Sequence, residues 1–312
     1  MNIIPIAFAF DNNLVLPACV CISSLMMNAN KDTFYDIFIL HSKKDNINTI
    51  ELNKISQYYK NCRIQYRTVG EEFDNAFEIR GITTPAYYRL LIPELIPEYD
   101  KIIYSDADII FRMDLSKLYS IDLGDNYIAA TRDLGLNWGD DGIKYINSMP
   151  ELHCGDYIQS GFILLNNKEI NKDGLVASFK EVAKRKLKYQ DQDTLNIVCQ
   201  GKILYLSLEY NMTDYSFHYL INEKSRLKSL FTCDEIAYAS QNGNLHFNGH
   251  KPWKKYSVNF DIWWEYYRKS PFFDEKFYFE FFNSKLAELD RLSLMKRIKI
   301  LVRYFVHGRY KD

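Results

Sequence analysis

Neither sign of charge dominates this chain. Its 39 Lys and Arg stand against 40 Asp and Glu for a net charge of −1, and without a cationic excess no surface suited to a nucleic-acid duplex is expected. Cysteine is sparse as well. The six, Cys19, Cys21, Cys62, Cys154, Cys199 and Cys233, include no C-x-x-C pair. They are too thinly spread for a disulfide scaffold and read as reduced packing residues of a cytosolic protein. A targeting segment is also lacking: residues 2–10 are apolar, but no basic stretch precedes them and Asp11 follows too soon for a signal peptide or a membrane span. In that setting the sequon Asn211-Met212-Thr213 is expected to be a coincidence. What the chain does have is 47% hydrophobic and 25% charged residues over 312 positions, ample for a buried core in one large domain or two. Its 24 Tyr and 20 Phe point to an aromatic core more than to stacking surfaces.

Hydrophobic periodicity in the first part alternates between two periods. Residues 3–10, 34–41 and 62–68 read as strands, and residues 16–27 and 47–59 as helices, which implies βαβ units, a mainly parallel sheet and right-handed crossovers. Ligands of such sheets sit at the carboxyl ends of the strands, near a reversal of strand order. Residues 8–13, Phe-Ala-Phe-Asp-Asn-Asn, form such an end: small Ala9 permits close approach, and Asp11 and Asn13 offer groups that a nucleobase edge or a ribose needs. The same residues also suit a helix cap ahead of Leu16. Residues 81–91 interrupt the alternation. There Thr84 can cap a helix with Pro85 at its first position, and Arg89 then runs back toward the centre, to neutralise Asp106 or reach a ligand. Strands follow at residues 127–131 and 162–165 and a helix at 175–186, with polar residues such as Asp133 and Gln159 collecting at strand ends. In residues 189–196, YQDQDTLN, Asp191 or Asp193 can cap another helix, but capping does not explain Gln192 between them.

Two stretches carry the chemistry. Residues 99–111 read YDKIIYSDADIIF, a short buried strand that delivers Asp106 and Asp108 at its end. In extended backbone the two lie on one face, about 6.5–7 Å apart. Like charges that close repel unless a cation sits between them, which suits a divalent metal bound through oxygen; Ala107 between them is small. The alternative is a strand-to-turn corner in which both merely cap the next segment. Residues 244–253, NLHFNGHKPW, place His246 at the end of a strand-like run, an imidazole that a borderline metal such as Mn²⁺ accepts beside carboxylates. Gly249 then lets backbone approach a charged ligand, and Lys251 is a point charge for phosphate.

SDAD after IIY, the preceding YYRLLIPELIPEYDK and the downstream HFNGHKPW resemble the family 8 glycosyltransferases, which include glycogenin and bacterial galactosyl- and glucosyltransferases of lipopolysaccharide assembly. The resemblance spans about residues 3–253. It implies an α/β chain with the single-domain nucleotide-diphospho-sugar transferase fold of the A type, Rossmann-like with a mainly parallel sheet. It further implies a UDP-sugar donor, Mn²⁺ with Mg²⁺ as a substitute, and transfer with retention of configuration. On the family pattern Asp106, Asp108 and His246 hold the metal; Ala9, Asp11 and Asn13 meet uridine; Ala107 lies against the donor; Gly249 and Lys251 meet the diphosphate. Arg89, Asp133, Gln159, Asp191 and Gln192 surround the donor sugar, with Gln192, Asp191 and Asp133 nearest the chemistry. An amide is a poor nucleophile, so Gln192 points to a front-face route, with Asp191 or Asp193 left open as a nucleophile. Three positions depart from the pattern. Leu14 replaces an aromatic that often stacks on uracil, Gln159 replaces a usual Asn, and Gly249-His250-Lys251 is one residue shorter than the common motif, leaving either Lys251 or His250 to meet the phosphate.

Composition changes near residue 255, which divides the chain into a catalytic domain, 1–255, and a helical extension, 256–312. The extension crowds aromatics such as Trp263, Trp264, Tyr266, Tyr267, Phe272 and Phe273, then mixes apolar residues with Lys296, Arg297, Lys299, Arg303 and Arg309. A basic amphipathic helix of this kind suits an anionic membrane surface, with Leu294, Ile298, Leu301, Val302 and Phe305 in the interface; packing on the catalytic domain is the alternative. The expectation is therefore a transferase that extends a lipid-linked or cell-surface saccharide at the inner face of a cytoplasmic membrane, with no nucleic-acid partner. Two other classes stay open: a haloacid-dehalogenase-type phosphatase using Asp106, Asp108 and the later Asp140-Asp141, and a non-catalytic nucleotide-sugar or glycan binder.

Overall fold

The computed structural model describes residues 2–74, 76–79 and 83–307, without the side chains of Leu289 and of residues 303–307. Gly81, Ile82 and Arg309 lie outside the described residues, as do the side chains of Arg303 and Phe305. The strands are β1 (Asn2–Ala9), β2 (Thr33–Ser42), β3 (Cys62–Val69), β4 (Ile102–Ser105), β5 (Ile109–Ile110), β6 (Ile128–Arg132), β7 (Ile158–Leu165), β8 (Ile203–Tyr205), β9 (Met212–Thr213) and β10 (Leu245–His246). Seven of them form the main sheet in the order β3-β2-β1-β4-β7-β6-β8, and β5-β10-β9 form a small second sheet.

The main sheet is parallel except for β7, which runs against both β4 and β6. Helices Val15–Met27 and Thr49–Tyr58 make the crossovers from β1 to β2 and from β2 to β3. The chain then returns past β1 to lay β4 on its other side, so winding reverses between β1 and β4 and a crevice opens at their carboxyl ends. Because β7 is antiparallel, its first residues rather than its last stand at that crevice. The backbone N–H of Asp106 donates to the Gly161 carbonyl at 2.7 Å, which ties the end of β4 to the start of β7. Both β4 and β7 are buried along their whole length, and β1 is buried over its last six residues, as strands covered on both faces must be.

Several local expectations change in the structure. Residues 84–91 form a 3-10 helix, Thr84–Leu91, rather than a helix capped by Thr84. The Thr84 N–H and hydroxyl both donate to Glu78 Oε1, each at 2.7 Å, so an upstream carboxylate receives the orphan donors. Asp106 and Asp108 do not share an extended strand; the chain turns between β4 and β5, and the turn brings their carboxylates together. The strand expected at 162–165 begins earlier, at Ile158, and so carries Gln159 and Ser160 into the interior. At the helix Gln190–Val198 it is Asp193 that takes the Tyr189 N–H, at 2.8 Å, while Asp191 is directed elsewhere.

The chain divides into two compact units, Met1–Pro271 and Phe272–Asp312, beyond the composition change at 255. Helix Phe260–Lys269 belongs to the first unit because Trp263, Trp264 and Tyr267 are buried there. Trp264 donates to the Pro252 carbonyl at 3.2 Å, and Asn28 donates to the Tyr266 hydroxyl at 3.0 Å. The second unit holds helices Glu275–Asp290 and Leu294–His307. A fragment ending at residue 271 is expected to unfold cooperatively in urea, whereas one ending at 255 is not. Trp263→Ala should cost the full chain about 3–5 kcal/mol. A cooperative transition of undiminished midpoint in the shorter fragment would refute this assignment of the helix.

Candidate active site

Pairing in the small sheet places His246 beside the carboxylate turn, since His246 lies opposite Ile109 in β5 and the Phe247 N–H donates to the Asp108 carbonyl at 3.0 Å. His246 Nε2 stands 3.3 Å from Asp108 Oδ1 and 3.7 Å from Asp106 Oδ2. One ligand atom from each of Asp106, Asp108 and His246 fits within a span of 4.8 Å. Asp108 Oδ1 is buried and has no hydrogen-bond partner among the described residues. A buried carboxylate oxygen without a donor is costly, and a cation held between two carboxylates and an imidazole satisfies it, so the residues fit a divalent metal. Lys251 forms an ion pair with the other oxygen of Asp108 and donates to the Phe247 carbonyl at 2.6 Å. Burial opposes ionisation of Asp108, but positive charge beside it, that of Lys251 first, outweighs burial and holds the carboxyl well below the usual range.

A buried guanidinium organises the other side. Arg89 is 4% exposed. It reaches Asp106 Oδ1 through Nη2 at 2.8 Å, Asp191 Oδ2 through Nε at 3.1 Å and the Ser160 carbonyl through Nη1 at 2.5 Å. Its face lies 4.2 Å from the centre of the Tyr104 ring, whose hydroxyl donates to Asp106 Oδ1 at 2.8 Å. Burial lowers the tendency of Arg89 to stay charged, and Asp106 and Asp191 more than restore it. Asp191 also accepts from Ser160 Oγ at 3.1 Å. Burial is the largest influence on Asp191; Arg89 opposes it, Asp106 reinforces it, and the carboxyl is pushed up to about 6.

Gln192 Oε1 accepts the Ser160 N–H at 3.1 Å, and its Nε2 donates to Asp133 Oδ2 at 3.0 Å. Asp133 caps the helix Leu134–Trp138 by accepting the Leu136 N–H at 3.0 Å. Its carboxyl is raised by burial, against the pull of Leu136 and Gln192. Asp193, by contrast, is fully buried and accepts from the hydroxyls of Tyr145 and Tyr157 at 2.6 and 2.5 Å. It is not among the residues that line the cleft.

These groups line a single cleft of about 880 Å³, toward the upper end of small-ligand sites. Ala9, Asp11, Arg89, Asp106, Ala107, Asp108, Asp133, Gln159, Asp191, Gln192, His246, Gly249 and Lys251 all contribute, as does Leu14. Asn13 and His250 are exposed and stand outside the lining. Asp11 accepts the Asn13 N–H at 2.9 Å, so the capping role open in the sequence is realised while Asp11 still borders the cleft. Sequence reasoning missed Ser160, which joins Arg89, Asp191 and Gln192, and Gly161, where a Cβ would lie 2.4 Å from His246 Cε1 and 2.5 Å from Asp106 Oδ2. A polar Gln-Ser-Gly ahead of an apolar strand was the available signal.

Gly161→Ala is therefore expected to displace Asp106 or His246 and to weaken divalent-cation binding by roughly 10-fold or more, read by calorimetry with Mn²⁺; unchanged affinity would refute the packing argument. Asp191 supplies a pH dependence. Its carboxyl is raised in the folded chain, so its contribution is full below the ordinary value, about 4, and is lost as pH rises through about 6. The stability of the wild type relative to Asp191→Asn should fall by about 2–3 kcal/mol across that window. A difference independent of pH would count against the shift.

The family model described as glycosyl transferase family 8 matches residues 5–257. A putative glycosyltransferase of Haemophilus influenzae is 28% identical over 218 residues, covering 68% of this chain and 63% of that protein. A lipopolysaccharide 1,2-glucosyltransferase of Escherichia coli is 25% identical over 256 residues, covering 80% of this chain and 72% of that one. The chain spans about half to two thirds of the length of several curated relatives that it matches. Among solved structures, the galactosyltransferase LgtC with donor and acceptor sugar analogues superposes with a TM-score of 0.67 at 23% identity, covering 88% of this chain and 98% of that one; at that identity the likeness shows the fold. With the family goes the phosphatase alternative. A match that takes in every residue lining the cleft, from Ala9 to Lys251, means that the chain belongs to glycosyltransferase family 8.

Proposed function

We propose that this chain transfers a hexose, galactose or glucose, from a UDP-sugar to a saccharide acceptor, with retention of configuration and with Mn²⁺, or Mg²⁺ in its place, bound by Asp106, Asp108 and His246. The observation that carries the reading is the orphaned Asp108 oxygen facing His246 in a deep cleft at the strand reversal. The metal, when bound, supplies Lewis-acid neutralisation of the departing diphosphate. Lys251, drawn to Asp108, adds a second positive charge beside that leaving group in this reading.

Arg89 and Ser160 hold Asp191 and Gln192 against the sugar side of the cleft. Gln192 is tethered at both ends of its amide, so its dipole is fixed before substrate arrives, as electrostatic stabilisation requires. With Asp191 tied to Arg89 and Asp193 outside the cleft lining, a front-face route is favoured. The bond from the anomeric carbon to the diphosphate oxygen breaks, the acceptor oxygen bonds to that carbon on the same face, and its proton passes to the departing oxygen. An α-linked donor then yields an α-linked product.

The acceptor is proposed to be a lipid-linked or cell-surface glycan, which the lipopolysaccharide enzyme among the relatives supports by analogy. Among the described residues no helix is long and apolar enough to cross a membrane. Helix Leu294–His307 exposes Leu294, Ile298, Leu301 and Val302 at helical spacing, next to Lys296, Arg297 and Lys299. That pattern supports attachment to the inner face of an anionic membrane.

A panel of UDP-sugars assayed for UDP release with Mn²⁺ tests the whole reading. Turnover is expected with UDP-galactose or UDP-glucose, and Asp108→Asn should reduce it by at least ~100-fold while the chain stays folded; full activity of that variant in EDTA would end the metal reading. Gln192→Ala should slow transfer roughly 10²–10³-fold without abolishing it, and a β-linked product would overturn the front-face route. Removing residues 292–312 should weaken binding to anionic vesicles by about 1 kcal/mol per lost basic residue and leave turnover of a soluble acceptor intact. Vesicle binding equal to that of the full chain would exclude the attachment role.

A further inference from the structure

Asn211 stands at the head of β9 and is 2% exposed, which denies it the glycosylation its sequon formally allows. Its neighbours define a hydrogen-bond relay whose direction is set at one end by backbone. The Gly161 N–H can only donate, and it reaches Gln159 Oε1 at 2.7 Å. That atom of Gln159 must therefore be the carbonyl oxygen, since a flipped amide would set donor against donor. Asn211 approaches the same oxygen at 2.8 Å and so presents its NH₂ to it. The other end of the Asn211 amide is then the oxygen, and it lies 2.9 Å from His246 Nδ1. An amide oxygen only accepts, so the proton of the neutral imidazole is placed on Nδ1 and the Nε2 lone pair is left facing Asp106 and Asp108.

His246 Nε2 lies on the other side of the ring from Asn211, 3.3 Å from Asp108 Oδ1 and 3.7 Å from Asp106 Oδ2. Gln159, Asn211 and His246 are each under 10% exposed, so water does not compete for the relay. Pairing of β9 with β10 fixes the spacing, because Met212 lies opposite Leu245 and Thr213 opposite His246. The residue before β10 is tied in too, with the Met212 N–H donating to the Asn244 carbonyl at 2.8 Å.

We infer that Asn211 is a positioning residue that, together with Gln159, holds His246 in the Nδ1-protonated tautomer and so presents Nε2 as a ready ligand for a cation. It also gives the departure at position 159 a meaning: the Gln159 carbonyl is committed to the relay, not to the sugar. The consequence for metal binding rests on the proposed cation site, but the tautomer does not.

The test uses the full-length, metal-free chain labelled with ¹⁵N-histidine, at a pH where the ¹⁵N shifts of the His246 ring themselves show it to be neutral. The His246 signals are identified by their loss in His246→Gln. Long-range proton–nitrogen correlations in the wild type are expected to show a neutral ring protonated on Nδ1. Asn211→Leu, which offers no acceptor, should lose that pattern and bind Mn²⁺ roughly 10–100-fold more weakly, whereas Asn211→Asp, which keeps an oxygen toward Nδ1, should retain the tautomer. An Nε2-protonated ring in the wild type, or an unchanged tautomer and Mn²⁺ affinity in Asn211→Leu, would overturn the inference. Should Asn211→Leu not fold, the wild-type and Asn211→Asp spectra decide. An Nδ1-protonated ring in a wild-type chain that binds no Mn²⁺ would uphold the relay and remove the cation site instead.

Discussion

The site depends on a concentration of negative charge that the fold could not hold without buried cations. Asp106, Asp108, Asp133 and Asp191 all border one cleft, and at such separations carboxylates repel strongly in a partly desolvated setting. Arg89 resolves half of this by lying between Asp106 and Asp191, its Nε–H donating to the Ala86 carbonyl beside Asp191 and its Nη1 to the Ser160 carbonyl. A planar guanidinium with several fixed donors can satisfy that many acceptors at once, which an ammonium could not. Lys251 resolves part of the other half at Asp108, and the oxygen it leaves over faces His246 in the candidate cation site.

Strand direction explains why these groups meet at all. Were β7 parallel to its neighbours, its carboxyl end, Leu164 and Leu165, would face the crevice. Reversed, it brings Gln159, Ser160 and Gly161 there, and the helix Gln190–Val198 that packs against it brings Asp191 and Gln192. Asn196 secures this contact, donating to the Ile158 carbonyl and accepting its N–H at 3.1 and 2.7 Å. Glycine at 161 follows from the same crowding: two side chains of the cation site occupy the volume in which a Cβ would stand. Lock-step placement of polar groups on rigid strands is what a preorganised site needs, since loops alone would leave each group to find its geometry on binding.

Much of the first half was legible because local physics decides it. Alternation of periods 2 and 3.6 over residues 3–68 gave strands and helices within a residue or two of those observed, since each segment's apolar pattern allows only one way of being buried. The Asp106, Asp108 and His246 set was legible because residue type alone restricts it: two carboxylates one residue apart and an imidazole ending a strand have few chemical uses. Ser160 and Asn211 were not legible. A Ser or an Asn gains its role from what faces it, and those partners lie 31 and 35 residues away in sequence.

The sequence by itself determined the fold class, the family, and which carboxylates and imidazole make a candidate cation site, because hydrophobic periodicity and ligand chemistry are carried by the residues themselves. Tertiary structure alone decided that the Asp106–Asp108 segment is a turn rather than a strand, that Asp193 is sealed behind two tyrosines while Asp191 pairs with Arg89, that residues 260–269 belong to the catalytic unit, and which nitrogen of His246 faces the carboxylates. Each of those outcomes turns on the direction of a side chain relative to a distant strand, and pairing of β4, β7, β9 and β10 sets such directions through contacts that no local pattern encodes.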